Sequence, residues 1–296
     1  MGKGENDVVI ALDVGGTVVK GEVVSSEGNV IGKVLEVKSP SDQPAETIIN
    51  TLKDLLRRLQ DRAVKDGHSP KACVVGFPWP FDYERGISQI KHKFASLYGK
   101  NLKKPLEELV GVPVYFLNDA DAFALGVSRE YPSEKRILAI TLGTGLGSGF
   151  LVDGKLAIGK EGVPPHGEIW NTPYKGKILE EFVSKRALSR SYRMHGGSEK
   201  DEVEDIAEKA RAGDSAAKAA FEKFTQDLGE GLAVAAAPFH PTRIVIGGQI
   251  SNAFDLFGKK AERIFGKKAR YKALFSKARG KNLALIGAAD YAIISG

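Results

Sequence analysis

The chain has 296 residues, 42% of them apolar, a single cysteine and a formal net charge of +6. That is enough to bury a full core and to build two domains, while one cysteine excludes an internal disulfide and a thiolate metal cluster. No apolar run approaches the ~20 residues that cross a bilayer, and the polar opening Met1 to Asp7 lacks the apolar stretch of a signal peptide, so a cytoplasmic protein with no membrane partner is expected.

The charge is unevenly placed. Between Gly258 and Lys281 stand ten Lys or Arg residues and one acid, Glu262. Such a segment suits a polyanion or an anionic surface, or it is the solvated basic face of a helix. Aromatic residues for base stacking are few there, so no nucleic acid partner is expected.

In chain order, apolar runs predict strands over Val8 to Val14, Val18 to Val24 and Val30 to Val37. An amphipathic helix follows from about Ala45 to Val64, with Ile48, Ile49, Leu52, Leu55, Leu56 and Leu59 on one face. A strand at Ala72 to Val75 comes next, holding Cys73 as a small buried hydrophobe. After a loop rich in proline and aromatics, a helix is expected near Leu102 to Val110. The strand Val114 to Leu117 then runs through Asn118-Asp119 into a helix. This β-β-β-α-β-α-β-α order favours a mixed sheet flanked by helices. The second half repeats the opening, with strand, glycine turn and strand from Ile137 to Val152, the second strand expected from Ser148. Helical patterns follow at Ile178 to Tyr192, Val203 to Arg211 and Ser215 to Ala237, then a buried strand Arg243 to Ile246 that ends in Gly247-Gly248, and a further helix. The recurrence suggests two related lobes facing a cleft.

The two glycine turns carry most of the chemistry. The first is Asp13-Val14-Gly15-Gly16-Thr17 and the second Gly143-Thr144-Gly145-Leu146-Gly147. Glycine removes the side chain that would hold an anion off the backbone, and it permits the positive φ angles that aim successive N–H groups at one point. Two such hairpins suggest a phosphate chain gripped from both sides.

With these elements in order, the chain resembles the ROK family of the actin-like ATPase superfamily. The resemblance rests on Asp13 to Thr17 with Lys20 as the first phosphate motif, and on Asn118-Asp119-Ala120-Asp121-Ala122-Phe123-Ala124-Leu125-Gly126 against the family's Asn-Asp-Ala-Asn-Ala-Ala-Ala-Leu-Gly signature. It rests further on Gly143 to Gly147 as the second phosphate motif, on Ala210 to Asp214 and Arg243 to Gly248 at the nucleoside end, and on Ile286-Gly287-Ala288-Ala289 in the closing helix. It implies a two-lobed, ribonuclease H-like α/β fold in which each lobe is a mixed sheet flanked by helices and the active site lies in the cleft. The small lobe is expected over residues 1–117 with the returning helix 285–296, and the large lobe over 118–284. The resemblance makes Asp119 the general base toward a sugar hydroxyl, usually that on carbon 6. Asp13 would hold a hydrated Mg²⁺, since that ion keeps most of its waters. Gly15, Gly16, Thr17, Lys20, Gly143, Thr144, Gly145 and Gly147 would bind phosphates, and Gly247 and Gly248 would let a nucleoside lie against the backbone. A homodimer is also implied.

The sugar side departs from the family pattern. Trp79 stands where the Gly-x-Pro-Gly turn has its last glycine, and Ile90-Lys91-His92-Lys93-Phe94 lies where the Pro-Asn and Gly-Trp signature belongs. The Gly-Glu-Ile-Gly-His motif reads Gly167-Glu168-Ile169-Trp170-Asn171, and the cysteine-rich zinc motif is missing except for Glu180 and Ser184. A closed zinc site needs four ligands, so none is expected. A Glu can accept from two adjacent sugar hydroxyls, which makes Glu168 and Glu180, with Asn118, the candidates for the sugar pocket. Trp79 and Trp170 offer faces for a sugar ring, and His92 and His166 are lesser candidates. The leading expectation is an ATP- and Mg²⁺-dependent hexose kinase of the glucokinase type. Polyphosphate is the alternative donor, suited by the basic segment, and a sugar sensor without turnover is an alternative role. The family's repressor branch, which adds an N-terminal helix-turn-helix, is not expected because the first strand pattern opens near Val8.

Overall fold

The computed structural model describes residues 6–91 and 93–295. Its elements in chain order begin with strands β1 (Asp7–Val14), β2 (Val18–Ser25) and β3 (Val30–Lys38), helix α1 (Ala45–Lys65) and strand β4 (Ser69–Phe77). Then come the short strands β5 (Phe81–Asp82) and β6 (Ile87–Ser88), helix α2 (Lys103–Val110), strand β7 (Val114–Asn118) and helix α3 (Asp119–Ser128). The chain continues with β8 (Arg136–Leu142), β9 (Leu146–Val152), β10 (Lys155–Leu156), β11 (Pro173–Tyr174) and β12 (Lys177–Ile178). Helices α4 (Glu180–Val183), α5 (Lys185–Met194), α6 (Val203–Ala212) and α7 (Ser215–Ala235) precede β13 (Arg243–Gly247), α8 (Phe254–Ala269), β14 (Leu274–Lys277) and α9 (Leu283–Ser295).

The chain divides into two compact units, one made of Met1–Gly126 with Lys281–Gly296 and the other of Val127–Gly280. The first is built on a five-stranded sheet in the order β3-β2-β1-β4-β7. Its first three strands form an antiparallel meander, and β4 and β7 run parallel to β1. Parallel strands cannot be joined by a tight turn, so α1 and α2 make the crossovers. The face of α1 formed by Ile48, Leu52, Leu55, Leu56 and Leu59 is fully buried against this sheet, while Ile49 sits half-buried at its edge. Each such leucine contributes roughly 1.5–3 kcal/mol. Helix α9 packs on β1 and β4. It crosses α3 so closely that a Cβ on Gly126 would strike the Leu283 carbonyl and one on Gly287 the Ala122 carbonyl.

The second unit repeats the plan in the order β10-β9-β8-β13-β14, with β8 and β9 antiparallel and β13 parallel to both β8 and β14. Its core joins Leu138, Ile140, Phe150, Phe224, Phe257 and Phe265. Two sequence expectations need correction here. Strand β9 begins at Leu146, opposite Leu142, so Gly147 is a strand residue paired with Thr141 and the turn shrinks to Gly143–Gly145. The helical pattern from Ile178 to Tyr192 is two helices, because Ser184 adopts an extended backbone, φ −100° and ψ 168°, between α4 and α5.

The basic stretch from Gly258 to Lys281 covers most of α8 and all of β14. Part of its charge is neutralised locally, with Lys259 paired to Glu262 at 3.1 Å and Lys260 to Glu222 at 2.5 Å. Among the described residues no helix is long and apolar enough to cross a membrane.

Candidate active site

In the first unit, the register brings Asp13, Gly76 and Leu117 level on three adjacent parallel strands, with Asn118 and Asp119 just beyond. Ligands of open α/β sheets bind outside the carboxyl ends of such strands, and these residues stand there. Gly15, Gly16 and Thr17 form the turn that leaves β1 at the same end. Asp13 is half-buried. Burial, with the Asp119 carboxylate beside it, pushes Asp13 up to about 7 against the opposing pull of Lys20.

Asp119 opens α3 and is half-buried. Burial raises it above the ordinary carboxylate range, opposed by the Ala120 N–H and by the charge of Lys93. Its Oδ1 accepts from the adjacent Ala120 amide at 2.9 Å. Asn118 makes the contact of a helix cap, its Oδ1 accepting from the same amide, two residues on, at 2.9 Å. The Asn118 Nδ2 donates to the Tyr83 hydroxyl at 3.1 Å, and that hydroxyl donates to the Phe77 carbonyl at 3.0 Å. Tyr83, which no sequence motif singled out, therefore orients the residue before the candidate base. Asp121 stands where the family pattern has Asn. It is buried, and burial together with the neighbouring Asp119 charge pushes it up to about 8. At neutral pH it is mostly a protonated, neutral acid, which suits a place that otherwise takes an amide.

The first turn differs from expectation in how its glycines work. Neither Gly15 nor Gly16 has a positive φ, so neither supplies the left-handed angles anticipated from the sequence. Gly15 spends its N–H on the Val18 carbonyl at 3.1 Å. The Gly16 carbonyl accepts from the Ser41 hydroxyl at 3.0 Å, and Thr17, exposed at the tip, gives its carbonyl to the Ser39 amide at 2.9 Å. Lys20 faces Asp13 across the hairpin but carries its ammonium to Glu36, at 2.8 Å.

In the second unit, the turn Gly143–Gly145 likewise lacks positive φ. The Gly143 N–H donates to the Gly145 carbonyl at 3.1 Å, and the Gly143 carbonyl accepts from the Lys185 amide at 2.7 Å, the first residue of α5. That contact explains the break at Ser184, which lets the new helix begin against the turn. Glu180 comes to the same place, its Oε2 accepting from the Leu146 amide at 2.9 Å. A Cβ on Gly145 would stand 2.6 Å from that oxygen, so a side chain there would displace the Glu180 carboxylate or tilt the turn. Thr144 is exposed at the tip.

Glu168 is carried by a peptide clamped to β9 on both sides. The buried Ser148 hydroxyl donates to the Gly167 carbonyl at 2.6 Å and accepts from the Ile169 amide at 3.2 Å. Glu168 is half-buried, and its Oε2 accepts from the His166 amide at 2.9 Å. The Trp170 carbonyl accepts from the Glu180 amide at 3.1 Å. Glu168, Glu180, Trp170 and the second turn thus form one connected assembly, through a serine that the sequence did not mark. Gly247 closes β13 beside Thr141, and the Gly248 carbonyl accepts from the Ser251 hydroxyl at 2.7 Å. In the first unit Trp79 is 39% exposed. His92 lies outside the described residues.

The chain is similar to known proteins over most of its length. The chain is 29% identical over 283 residues to a glucokinase of Thermotoga maritima, covering 86% of each chain. It is 26% identical over 275 residues to an N-acetyl-D-glucosamine kinase of Vibrio parahaemolyticus, covering 86% of this chain and 88% of the relative. Among solved structures, a ROK family glucokinase from Streptomyces griseus, in complex with glucose and AMPPNP, superposes with a TM-score of 0.77 at 27% identity, over 96% of this chain and 98% of that one. The ROK family profile matches residues 9–294, and with relatives of this kind the chain belongs to the ROK family as a sugar kinase.

Proposed function

We propose that the protein transfers the terminal phosphoryl group of ATP to a hexose hydroxyl, that on carbon 6, with Asp119 as general base. The observation that carries this reading is the grouping of Asp119, Asp13 and the Gly15–Thr17 turn at the carboxyl ends of β1, β4 and β7. Phosphoryl transfer asks the protein mainly for positioning and charge neutralisation, and this grouping supplies a base, a hard anionic oxygen and a backbone cradle. In the reaction the bond from the γ-phosphorus to the β,γ-bridging oxygen breaks and a bond from that phosphorus to the sugar oxygen forms. The hydroxyl proton passes to the Asp119 carboxylate, whose raised proton affinity suits a base working near neutrality.

Gly16 and Thr17 donate to the transferring group, Gly15 having spent its N–H within the turn. Thr144 and Gly145 donate to the nucleotide phosphates from their own turn, while Gly143 and Gly147 shape it, and Gly247 and Gly248 leave room for the nucleoside. Among the described residues no three His, Cys, Asp or Glu side chains group as a metal cage. Mg²⁺ does not require one, being commonly held by one or two carboxylates together with phosphates and water. Asp13 fits that need, and the ion would neutralise phosphate charge. Glu168 and Asn118 bind sugar hydroxyls. Glu180 serves chiefly to hold the Leu146 amide, with the Arg186 guanidinium 3.7 Å from its Oε1, and is the third candidate for the sugar.

The test is a coupled ADP-release assay with Mg-ATP across hexoses, amino-hexoses and N-acetylated hexoses, with a parallel polyphosphate arm read by sugar phosphate. Turnover of one sugar is expected, and Asp119→Asn is expected to lower kcat by roughly 10²- to 10⁴-fold with nucleotide and sugar binding retained. Near-normal turnover by that variant would remove Asp119 from the role of base.

A further inference from the structure

The segment that replaces the family's sugar signature brings a cation to the first turn. The Phe94 amide donates to the Ser41 carbonyl at 2.7 Å, and the Ser41 hydroxyl donates to the Gly16 carbonyl at 3.0 Å. Phe94 holds a left-handed backbone, φ 59°, and its fully buried ring packs 5.4 Å from that of Phe77, the last residue of β4. The residue before it, Lys93, is exposed, and its side chain runs along the turn. A Cβ on Gly16 would stand 3.1 Å from the Lys93 Nζ and 3.0 Å from its Cδ. The same ammonium acts on the Asp119 carboxylate. Lys20, the cation the sequence offered for phosphate, is turned to Glu36 instead.

We propose that Lys93 is a further catalytic residue, whose ammonium at the Gly16–Thr17 turn contacts the phosphoryl group in transfer and neutralises the charge that develops on its oxygens. The proposal rests on the kinase reading above. A loose transition state spreads negative charge over three equatorial oxygens. A cation held beside the backbone donors of the turn meets that charge without reorganising at the moment of reaction. A side chain on Gly16 would oblige the lysine to give by a few tenths of an ångström.

The experiment compares Lys93→Met and Lys93→Arg with the unaltered chain. Without sugar, calorimetric titration with a non-hydrolysable ATP analogue and with ADP reads contact with the terminal phosphoryl group directly. Lys93→Met is expected to weaken the triphosphate about tenfold and leave ADP unchanged, and to lower kcat about 100-fold with the sugar KM little moved. Lys93→Arg should recover most of both. The acid limb of the kcat profile should move to higher pH in Lys93→Met, because a nearby positive charge no longer favours the Asp119 carboxylate. Equal weakening of ATP analogue and ADP, or an unchanged kcat, would overturn the role of Lys93. Failure of the unaltered chain to bind nucleotide or to phosphorylate any sugar would instead overturn the kinase reading beneath it.

Discussion

The two β-turn-β modules, β1-turn-β2 and β8-turn-β9, have the same outline and opposite polar equipment. Each enters on a buried strand, crosses a three-residue turn with an exposed threonine and leaves antiparallel. Each turn is closed by an apolar pair, Val14 with Val19 and Leu142 with Leu146, but one pair further in Asp13 faces Lys20 where the second hairpin has Thr141 facing Gly147. The Lys93 ammonium lies over the first turn, and the Glu180 carboxylate lies against the second. The departing strands differ too. Glu22 on β2 is fully buried with neither carboxyl oxygen hydrogen-bonded, whereas Ser148 on β9 is buried with both its bonds made. The hairpin shape is therefore a scaffold, and what each turn does is set by side chains that arrive from elsewhere.

The sharpest way to break this contrast is Gly145→Ala. The new Cβ would meet the Glu180 oxygen at 2.6 Å, an oxygen already holding the Leu146 amide. Either the glutamate leaves or the turn tilts, and a shift of that order costs about 100-fold in kcat/KM for the nucleotide. Because one contact is at stake, Gly145→Ala combined with Glu180→Ala should cost little more than either alone, as coupled neighbours do. Fully additive losses in steady-state kinetics would show that Glu180 and Gly145 act separately.

A smaller effect is expected from Ser148→Ala. It strips the Gly167 carbonyl and the Ile169 amide of their shared partner, and each buried group left unpaired costs about 1–3 kcal/mol. The loosened peptide carries Glu168, so the sugar KM should rise about tenfold while the nucleotide KM stays put. A denaturation midpoint that falls with no change in sugar KM would place Glu168 outside the sugar pocket.

How much of this was legible beforehand follows the range of each interaction. Strands, α1 and the glycine turns were readable because alternation, the leucine face and glycine pairs are local signals. The turn chemistry was not. Positive φ is the natural expectation for Gly15, Gly16, Gly143 and Gly145, yet none has it; a side chain at Gly16 or Gly145 would meet a neighbour 77 or 35 residues away in the chain (Lys93 and Glu180), whereas at Gly143 nothing stands within 4 Å. Ser148 and Tyr83 each act through two hydrogen bonds to backbone or amide groups, which leave no pattern in the chain. The break at Ser184 was hidden for the same reason, since its cause is the Gly143 carbonyl.

The last contrast concerns Glu22, and its sign is opposite to that of Ser148. Glu22 sits on β2 beside the irregular pairing with β3, and burial pushes its carboxyl from 4.5 up to about 7 against the opposing charge of Arg62. The folded chain therefore holds this proton more tightly than the unfolded chain does. The stability that goes with it is whole below pH 4.5 and is lost as pH rises toward about 7, by up to roughly 1.4 kcal/mol per pH unit. Asp13 and Asp121 are raised as well and slope the same way, so the wild-type chain should be markedly less stable to urea at pH 7 than at pH 5. Glu22→Gln cannot ionise and should flatten the part of that slope that belongs to Glu22, leaving activity unchanged. Urea midpoints of both chains at the two pH values decide it. Equal slopes would mean that the strand leaving the first turn meets its charge with solvent or a partner after all, and the two modules would then be alike in how they satisfy their buried polar groups.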